Sequence, residues 1–453
     1  VNILKFGIIK IMTQDQSKNT ESDIKEIIHL FQNGLIREAL VKSEKLIKKE
    51  QEIPFLLNLN GIININLNNW DKAKISLNKA VSLNQQYVEA YNNLGIVYNN
   101  LGDLEEAIKN FSLSVKLKHD YSNGYNNLGS AYDDLGKDNE AIENYSKALK
   151  FNPTHTEAQT NLIHKLTHFT PNKKTQNSII AADKIIKKIK NDFTFHEGIK
   201  KIDISTLFNH SNKAIQENIK ELTFFETQIY RRNSIDLNCK RHHKVFNDFD
   251  IIPKFCFNCF KIQIEPKNVL ELFKLFFIFD ELKLKNNNTR KCLIELRPNI
   301  SGIYKGLIYC SGSDEAEEIL KDITPILKKI IDKNINIKIR RGCSEFADKY
   351  KDFKEINKEA PNFMKYKNEW KEKELIFDIN EAKNKKRKKY FKDSISGLTI
   401  SDVLVMNNWL NYAKKIEDKS YKDISEEIFY SDYISKTISP QLEKRKNEFL
   451  ELL

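Results

Sequence analysis

Cys256-Phe-Asn-Cys259 puts two thiols within one turn of chain. A soft metal takes two sulfur ligands from such a turn, each at about 2.3 Å. Cys343 is the candidate third ligand and Cys239 the fourth. Four thiolates suit structural Zn²⁺ or an iron–sulfur cluster, and spacing does not separate the two. A more local set is also present. Cys239-Lys-Arg-His242 followed by Cys256-Phe-Asn-Cys259 has the two-knuckle spacing of a zinc finger, with His243 able to replace His242. Cys256 and Cys259 could also act as a redox dithiol. Against all of these stands the habit of cysteine to serve as a small buried hydrophobe, which suits Cys292 and Cys310 inside apolar runs.

The elements that must position these thiols are read from periodicity. Over 255–346, Phe260–Glu265 alternates as a strand and Asn268–Leu284 forms an apolar helix. Lys291–Arg297 is a strand ended by Pro298, and Tyr304–Cys310 a strand ended by Ser311-Gly312-Ser313. Asp314–Ile331 is an amphipathic helix, and Ile335–Arg341 alternates again. The order β-α-β-β-α-β predicts a ferredoxin-like plait. Its first and third strands are expected at the centre and parallel, with the second and fourth at the edges running the other way. Cys256, Cys259 and Cys343 then meet at one end of the sheet, Cys239 folds back to join them, and Cys292 and Cys310 fall at the opposite end.

Upstream, the chain repeats itself. Tyr91, Leu94, Gly95, Tyr98, Gly102, Ala107 and Phe111 recur as Tyr125, Leu128, Gly129, Tyr132, Gly136, Ala141 and Tyr145, and Pro153 closes the unit. One frame earlier Gly61, Ala73, Leu77 and Ala80 hold the same positions. Earlier still Gly34 and Ala39 survive, while Ile27 stands where a small residue is expected, as in a terminal repeat. This pattern resembles the tetratricopeptide repeat, whose small residues let paired antiparallel helices pack closely. The resemblance covers residues 21–169, including a final cap over Thr156–Phe169, and implies a superhelix whose groove binds a protein or peptide segment. Asn58, Asn92, Asn93, Asn126, Asn127 and Ser130 face or border that groove; their reading as repeat consensus competes with a peptide-holding role. Lys and Arg are missing where a clamp for C-terminal carboxylates would need them, so an acidic chain end is not the expected ligand.

The rest of the division is compositional. Residues 1–20 are disordered or a mis-annotated start, since Met12 follows a short Lys-interrupted run. Residues 170–178 are a polar linker opening near Pro171, and 179–254 a helical bridge carrying the Cys/His segment. Residues 347–453 are basic and mostly helical, with Ala382–Tyr390 the densest cationic run and Val403, Leu404, Met406, Trp409 and Leu410 on one apolar face. The fold class is therefore α+β and multidomain.

The chain carries a formal charge of +12 over 453 residues. Heavy use of Lys, Asn and Ile throughout points to A+T-rich coding rather than to a selected basic surface, so nucleic acid is not the favoured partner. Tyr304, Lys305 and Tyr309 lie on one strand but lack the Gly-rich aromatic octamer of RNA-recognition plaits. Arg297, Arg340 and Arg341 are candidates for holding an anion. No apolar run approaches the ~20 residues of a membrane span. The expectation is a bacterial, cytoplasmic protein with reduced thiols. No P-loop, Ser/His/Asp set or His-Glu-x-x-His motif is present. The function expected is a protein-binding adaptor with a metal-bearing cysteine domain; its rivals are a redox or iron–sulfur enzyme and an RNA-binding protein.

Overall fold

The computed structural model describes residues 18–50, 52–172, 175–193, 198–231, 239–382, 396–429 and 431–452. The chain is mostly helical with one small antiparallel sheet. It divides into two compact units, the first ending at Ala158 and the second running on from Gln159. The expected start at 1–20 lies almost wholly outside the described residues, as does the cationic run around Lys385. Among the described residues no helix is long and apolar enough to cross a membrane.

In the first unit four helix pairs follow one another: α1 (Lys18–Gln32) with α2 (Ile36–Lys49), α3 (Pro54–Asn66) with α4 (Trp70–Leu83), α5 (Val88–Leu101) with α6 (Leu104–Leu117), and α7 (Ser122–Asp134) with α8 (Asp138–Phe151). The reason for the repeated register is steric. A Cβ on Gly95 would lie 2.5 Å from the Phe111 ring, and one on Gly61 2.5 Å from Leu77 Cγ. A Cβ on Gly129 would lie 2.7 Å from the Tyr145 ring. The large residue of each second helix thus fills the place of the missing side chain. In α1 that position is Ile27, itself fully buried. The turn inside each pair needs a left-handed residue, supplied by Gly34, Gly102 and Gly136, and by Asn68 (φ 57°) in the second pair.

The second unit contains the sheet. Its strands are β1 (Gln228–Arg231), β2 (Phe260–Glu265), β3 (Arg290–Ile294), β4 (Tyr304–Cys310) and β5 (Asn336–Arg341), in the order β1-β3-β4-β2-β5. The helices ahead of the sheet are α9 (Thr156–His168), α10 (Ser178–Asn191) and α11 (Lys201–Asn218), with α12 (Cys239–Phe249) between β1 and β2. Within and after the sheet come α13 (Val269–Glu281), α14 (Ser313–Ile330), α15 (Ser344–Lys349), α16 (Trp370–Ala382), α17 (Ile400–Lys415), α18 (Asp432–Ile438) and α19 (Leu442–Leu450). What the sequence separates at 254 and 346 is one compact unit. Strand β1 rises from the stretch read as a helical bridge. Helix α17 is buried on nearly every side; its Trp409 indole donates to Thr227 O at 2.9 Å and its Tyr412 hydroxyl to Glu295 O at 3.3 Å. Residues from Gln159 onward, expected as a repeat cap, belong to the second unit: the Gln159 amide donates to Glu221 O at 2.9 Å.

Every strand pair is antiparallel, including the central pair β2 and β4, which the sequence reading made parallel. The reason is the connection. Each strand–helix–strand crossover makes its own two strands parallel and leaves one slot between them, and a strand of the other half fills it in the opposite sense. The start of β2 therefore shares a sheet end with the finishes of β4 and β5. Phe260 pairs with Cys310 on one side and Arg341 on the other. Cys310 thus sits at the Cys259 end, not opposite it. Cys292 pairs with Gly306, which pairs with Ile264, so it lies toward the far end.

Buried ion pairs tie the sheet to its surroundings. Arg231, at the end of β1, meets Asp280 at 2.5 Å and Asp402 at 3.2 Å, all three nearly fully buried. Glu295 accepts from Lys305 at 2.9 Å and from Arg297 at 2.8 Å.

Candidate functional site

The sheet end that carries Cys259, Cys310 and Arg341 is where titratable groups converge. A short 3₁₀ turn, Lys254–Asn258, brings the chain to β2, with the Cys259 amide on Cys256 O at 3.3 Å. On the neighbouring edge β5 ends at Arg341. Gly342 (φ 57°) then turns the chain, its amide held by Cys259 O at 2.7 Å. A side chain at Gly342 would run into the Phe353 ring, so only glycine delivers Cys343 to this place. Helix α12 starts at Cys239 and presents His243 one turn later.

Cys343 is the centre of the arrangement. Its sulfur accepts from Lys261 Nζ at 3.3 Å. A ring nitrogen of His243 lies within 4.8 Å of it as well. Ligating atoms of His243, Cys343 and Glu345 all lie within 4.8 Å of one another, the one such trio of His, Cys, Asp or Glu among the described residues. Burial alone would push the Cys343 thiol up; the Lys261 ammonium and the nearby His243 ring outweigh it and bring the thiol down to about 7. The proximity of Cys343 raises His243. Glu345 is lowered: backbone hydrogen bonding, Arg297 and His243 overcome its burial. Lys261 is held strongly protonated by Tyr309, Cys343 and Cys259 against the effect of burial. Its ammonium lies 5.2 Å from the centre of the Tyr309 ring.

The other sequence-selected cysteines play different parts. Cys256 packs among Val245, Ile252, Phe346 and Phe353, and burial, then the charges of Cys343 and its neighbours, push its thiol far up. Burial pushes Cys259 up to about 11. Neither sulfur joins Cys343 in a trio of ligating reach. Cys239 is near enough to add to the upward push on Cys256 and Cys259. His242 faces elsewhere, stacked on Phe255 with ring centres 5.0 Å apart. Cys292 and Cys310 are buried on their strands. Glu345 and Lys261 were not singled out from sequence. The signal for Glu345 is its position two residues after Cys343; the signal for Lys261 is its place two residues after Cys259.

The three arginines each have partners within the protein. Arg297 is held between Glu295 and Glu345, the latter at 2.6 Å. Arg340 donates to Gln263 at 3.0 Å. Arg341 is buried, its guanidinium 4.2 Å from the Phe363 ring centre and 5.2 Å from those of Phe257 and Phe353, and it donates to Phe257 O at 3.1 Å and Glu355 O at 3.5 Å. The strand cations Lys261 and Lys305 likewise point to internal partners.

In the first unit the groove asparagines form a ladder. Asn93 donates to Asn58 at 2.9 Å, and Asn127 to Asn92 at 2.9 Å, each bond crossing from one helix pair to the next. Asn58 also donates to the Tyr87 hydroxyl at 3.2 Å. Asn58, Asn92, Asn93 and Asn126 are buried. Ser130 is half-buried. This geometry assigns the ladder to repeat–repeat adhesion, with Ser130 and Ile96 as the accessible members of the same faces.

The tetratricopeptide repeat model matches residues 88–121 and 122–155. Among solved structures, a crystal structure of MamA is 26% identical over 30% of this chain and 79% of its own, with a TM-score of 0.29. YrrB, described as a TPR protein with an unusual peptide-binding site, is 17% identical over 32% of this chain and 74% of its own (TM-score 0.28). The first TPR of Spaghetti (RPAP3), solved with an HSP90 peptide, is 23% identical over 25% of this chain and 90% of its own (TM-score 0.25). No curated protein matches the chain.

Proposed function

We propose that this chain, a tetratricopeptide-repeat protein over its first unit, is a protein-binding scaffold whose second unit binds a metal ion. The observation that carries the scaffold reading is the 34-residue register itself. Helix pairs packed through Gly61, Gly95 and Gly129 and joined by the asparagine ladder make a rigid face of first helices, the kind of surface on which extended segments dock.

In the second unit we read the strand order β3-β4-β2-β5 as a ferredoxin-like plait, extended at one edge by β1. Its metal ligands are drawn from the thiols and imidazoles gathered around Cys343. Zinc suits them, because thiolate, imidazole and carboxylate are all its ordinary donors. A reducing, cytoplasmic setting fits the six cysteines, Cys239, Cys256, Cys259, Cys292, Cys310 and Cys343, which are buried or half-buried and not in disulfides.

The test of the scaffold is selection of a random peptide library on the full chain, followed by calorimetry of the selected peptides. Ile96→Glu and Ser130→Glu, on the first-helix faces, are expected to weaken binding by tenfold or more. Peptides indifferent to both substitutions, or no selection at all, would overturn the reading.

A further inference from the structure

We propose that His243, Cys343 and Glu345 together bind one Zn²⁺ ion and leave one coordination position open. The inference rests on the metal-binding reading of the second unit and names its ligands, which differ from the Cys-x-x-Cys set that spacing alone suggests.

Geometry comes first. The three donor atoms lie within 4.8 Å of one another without rearrangement of the backbone, and each comes from an element fixed by other contacts. His243 sits on α12, whose Val245 is fully buried in the core. Cys343 and Glu345 flank the start of α15, anchored by buried Phe346 and by the Gly342 turn. Cys256 belongs to that apolar core, and using it as a ligand would pull its sulfur out from among Val245, Ile252 and Phe353.

Charge is the second argument. A thiolate and a carboxylate supply two negative charges, which balance a dication, and the neutral imidazole adds the nitrogen donor. Each anionic ligand already has a cationic outer partner: Lys261 on the Cys343 sulfur at 3.3 Å and Arg297 on the Glu345 carboxylate at 2.6 Å. Outer partners of this kind orient metal ligands and hold them in place before the ion arrives.

The number of donors is the third. Zinc sites closed by four protein ligands are structural, whereas three ligands leave a position for water or an exchangeable molecule. All three residues here are half-buried rather than sealed, so a small ligand has a route to that position. Sulfur, nitrogen and oxygen from one residue each favour Zn²⁺ over hard Mg²⁺ or Ca²⁺.

The experiment uses the full chain, stripped with a chelator and titrated with Zn²⁺ and Co²⁺. One ion per chain is expected. The Co²⁺ form should show thiolate charge transfer of single-sulfur intensity, and its visible bands should move when azide is added. Glu345→Gln, which keeps the shape of the side chain, is expected to weaken Zn²⁺ about tenfold or more, and Cys343→Ser more strongly. A Cys256→Ala/Cys259→Ala variant should stay within about twofold. If the Co²⁺ form shows four-sulfur intensity and ignores azide, and metal is lost only with Cys256 and Cys259, this ligand set is overturned while the metal-binding unit stands. If neither ion binds, the ligand set and the metal-binding reading fall together. The Co²⁺ spectrum of the unsubstituted chain decides between these outcomes even where a variant does not fold.

Discussion

Lys261 Nζ lies 3.3 Å from Cys343 Sγ, joining the start of β2 to the turn after β5 across the edge of the sheet. The ammonium stabilises the thiolate, so in the metal-free chain Cys343 should be the first cysteine alkylated. Its rate of reaction with iodoacetamide, followed by peptide mass spectrometry, is expected to rise with a midpoint near the value of about 7 set by Lys261 and His243. Lys261→Met removes the cation and should move that midpoint upward. A midpoint unchanged in the variant would show that the ammonium does not act on this sulfur.

Glu295 is only 1% exposed, and Arg297 and Lys305 overcome its burial to hold its carboxyl at about 2, below the ordinary 4.5. A lowered folded-state value means that this stabilisation is complete above about 4.5 and drains away as the pH falls through about 2. Glu295→Gln leaves Lys305 buried without its counter-charge, at an expected cost of about 3–5 kcal/mol at neutral pH. Urea denaturation of the two chains from pH 7 to pH 2 should show the gap narrowing toward acid. A gap that stays constant with pH would remove the charge from the explanation.

Gly95→Ala sets a favourable helix change of up to about 1 kcal/mol against overpacking of about 1–3 kcal/mol, because the new Cβ meets the Phe111 ring at 2.5 Å. The chain should lose stability, and Phe111→Leu in the same chain should recover most of the loss. Independent, additive effects in chemical denaturation would argue that the two positions do not share space.

The asparagine ladder offers a cleaner cycle. Asn93→Ala leaves the buried Asn58 oxygen without its 2.9 Å donor, an expected cost of about 1–3 kcal/mol. Asn58→Ala and the double variant complete the set. A coupling below about 0.5 kcal/mol would mean that the bond carries no adhesion between helix pairs.

The repeat region was legible because its cause is local and periodic: a glycine facing a large residue, recurring with the register, needs no knowledge of distant chain. Strand positions were legible for the same reason, since alternation in Ile335–Arg341 reports directly on a sheet. Strand direction was not, because it depends on how two crossovers interlock. The candidate site was half legible. Cys343 at the finish of the last strand follows from strand order, but the choice of His243 over His242 depends on where α12 begins, and one residue of phase turns the ring to Phe255 instead. Glu345 and Lys261 carry ordinary surface chemistry in sequence; only Gly342 and the β2–β5 pairing turn them toward the sulfur. Strand β1 is four residues long, too short for alternation to declare itself.

That short strand has a consequence for how the molecule meets others. An open sheet invites foreign strands at its flanks. On one flank the sheet, among the described residues, ends in β1, whose buried Arg231 is locked to Asp280 and Asp402. On the other, β5 carries Lys338 and Arg340, and cations there make a poor template for another chain. Both flanks are thus guarded against runaway strand addition, so the sheet is a poor seed for an aggregate.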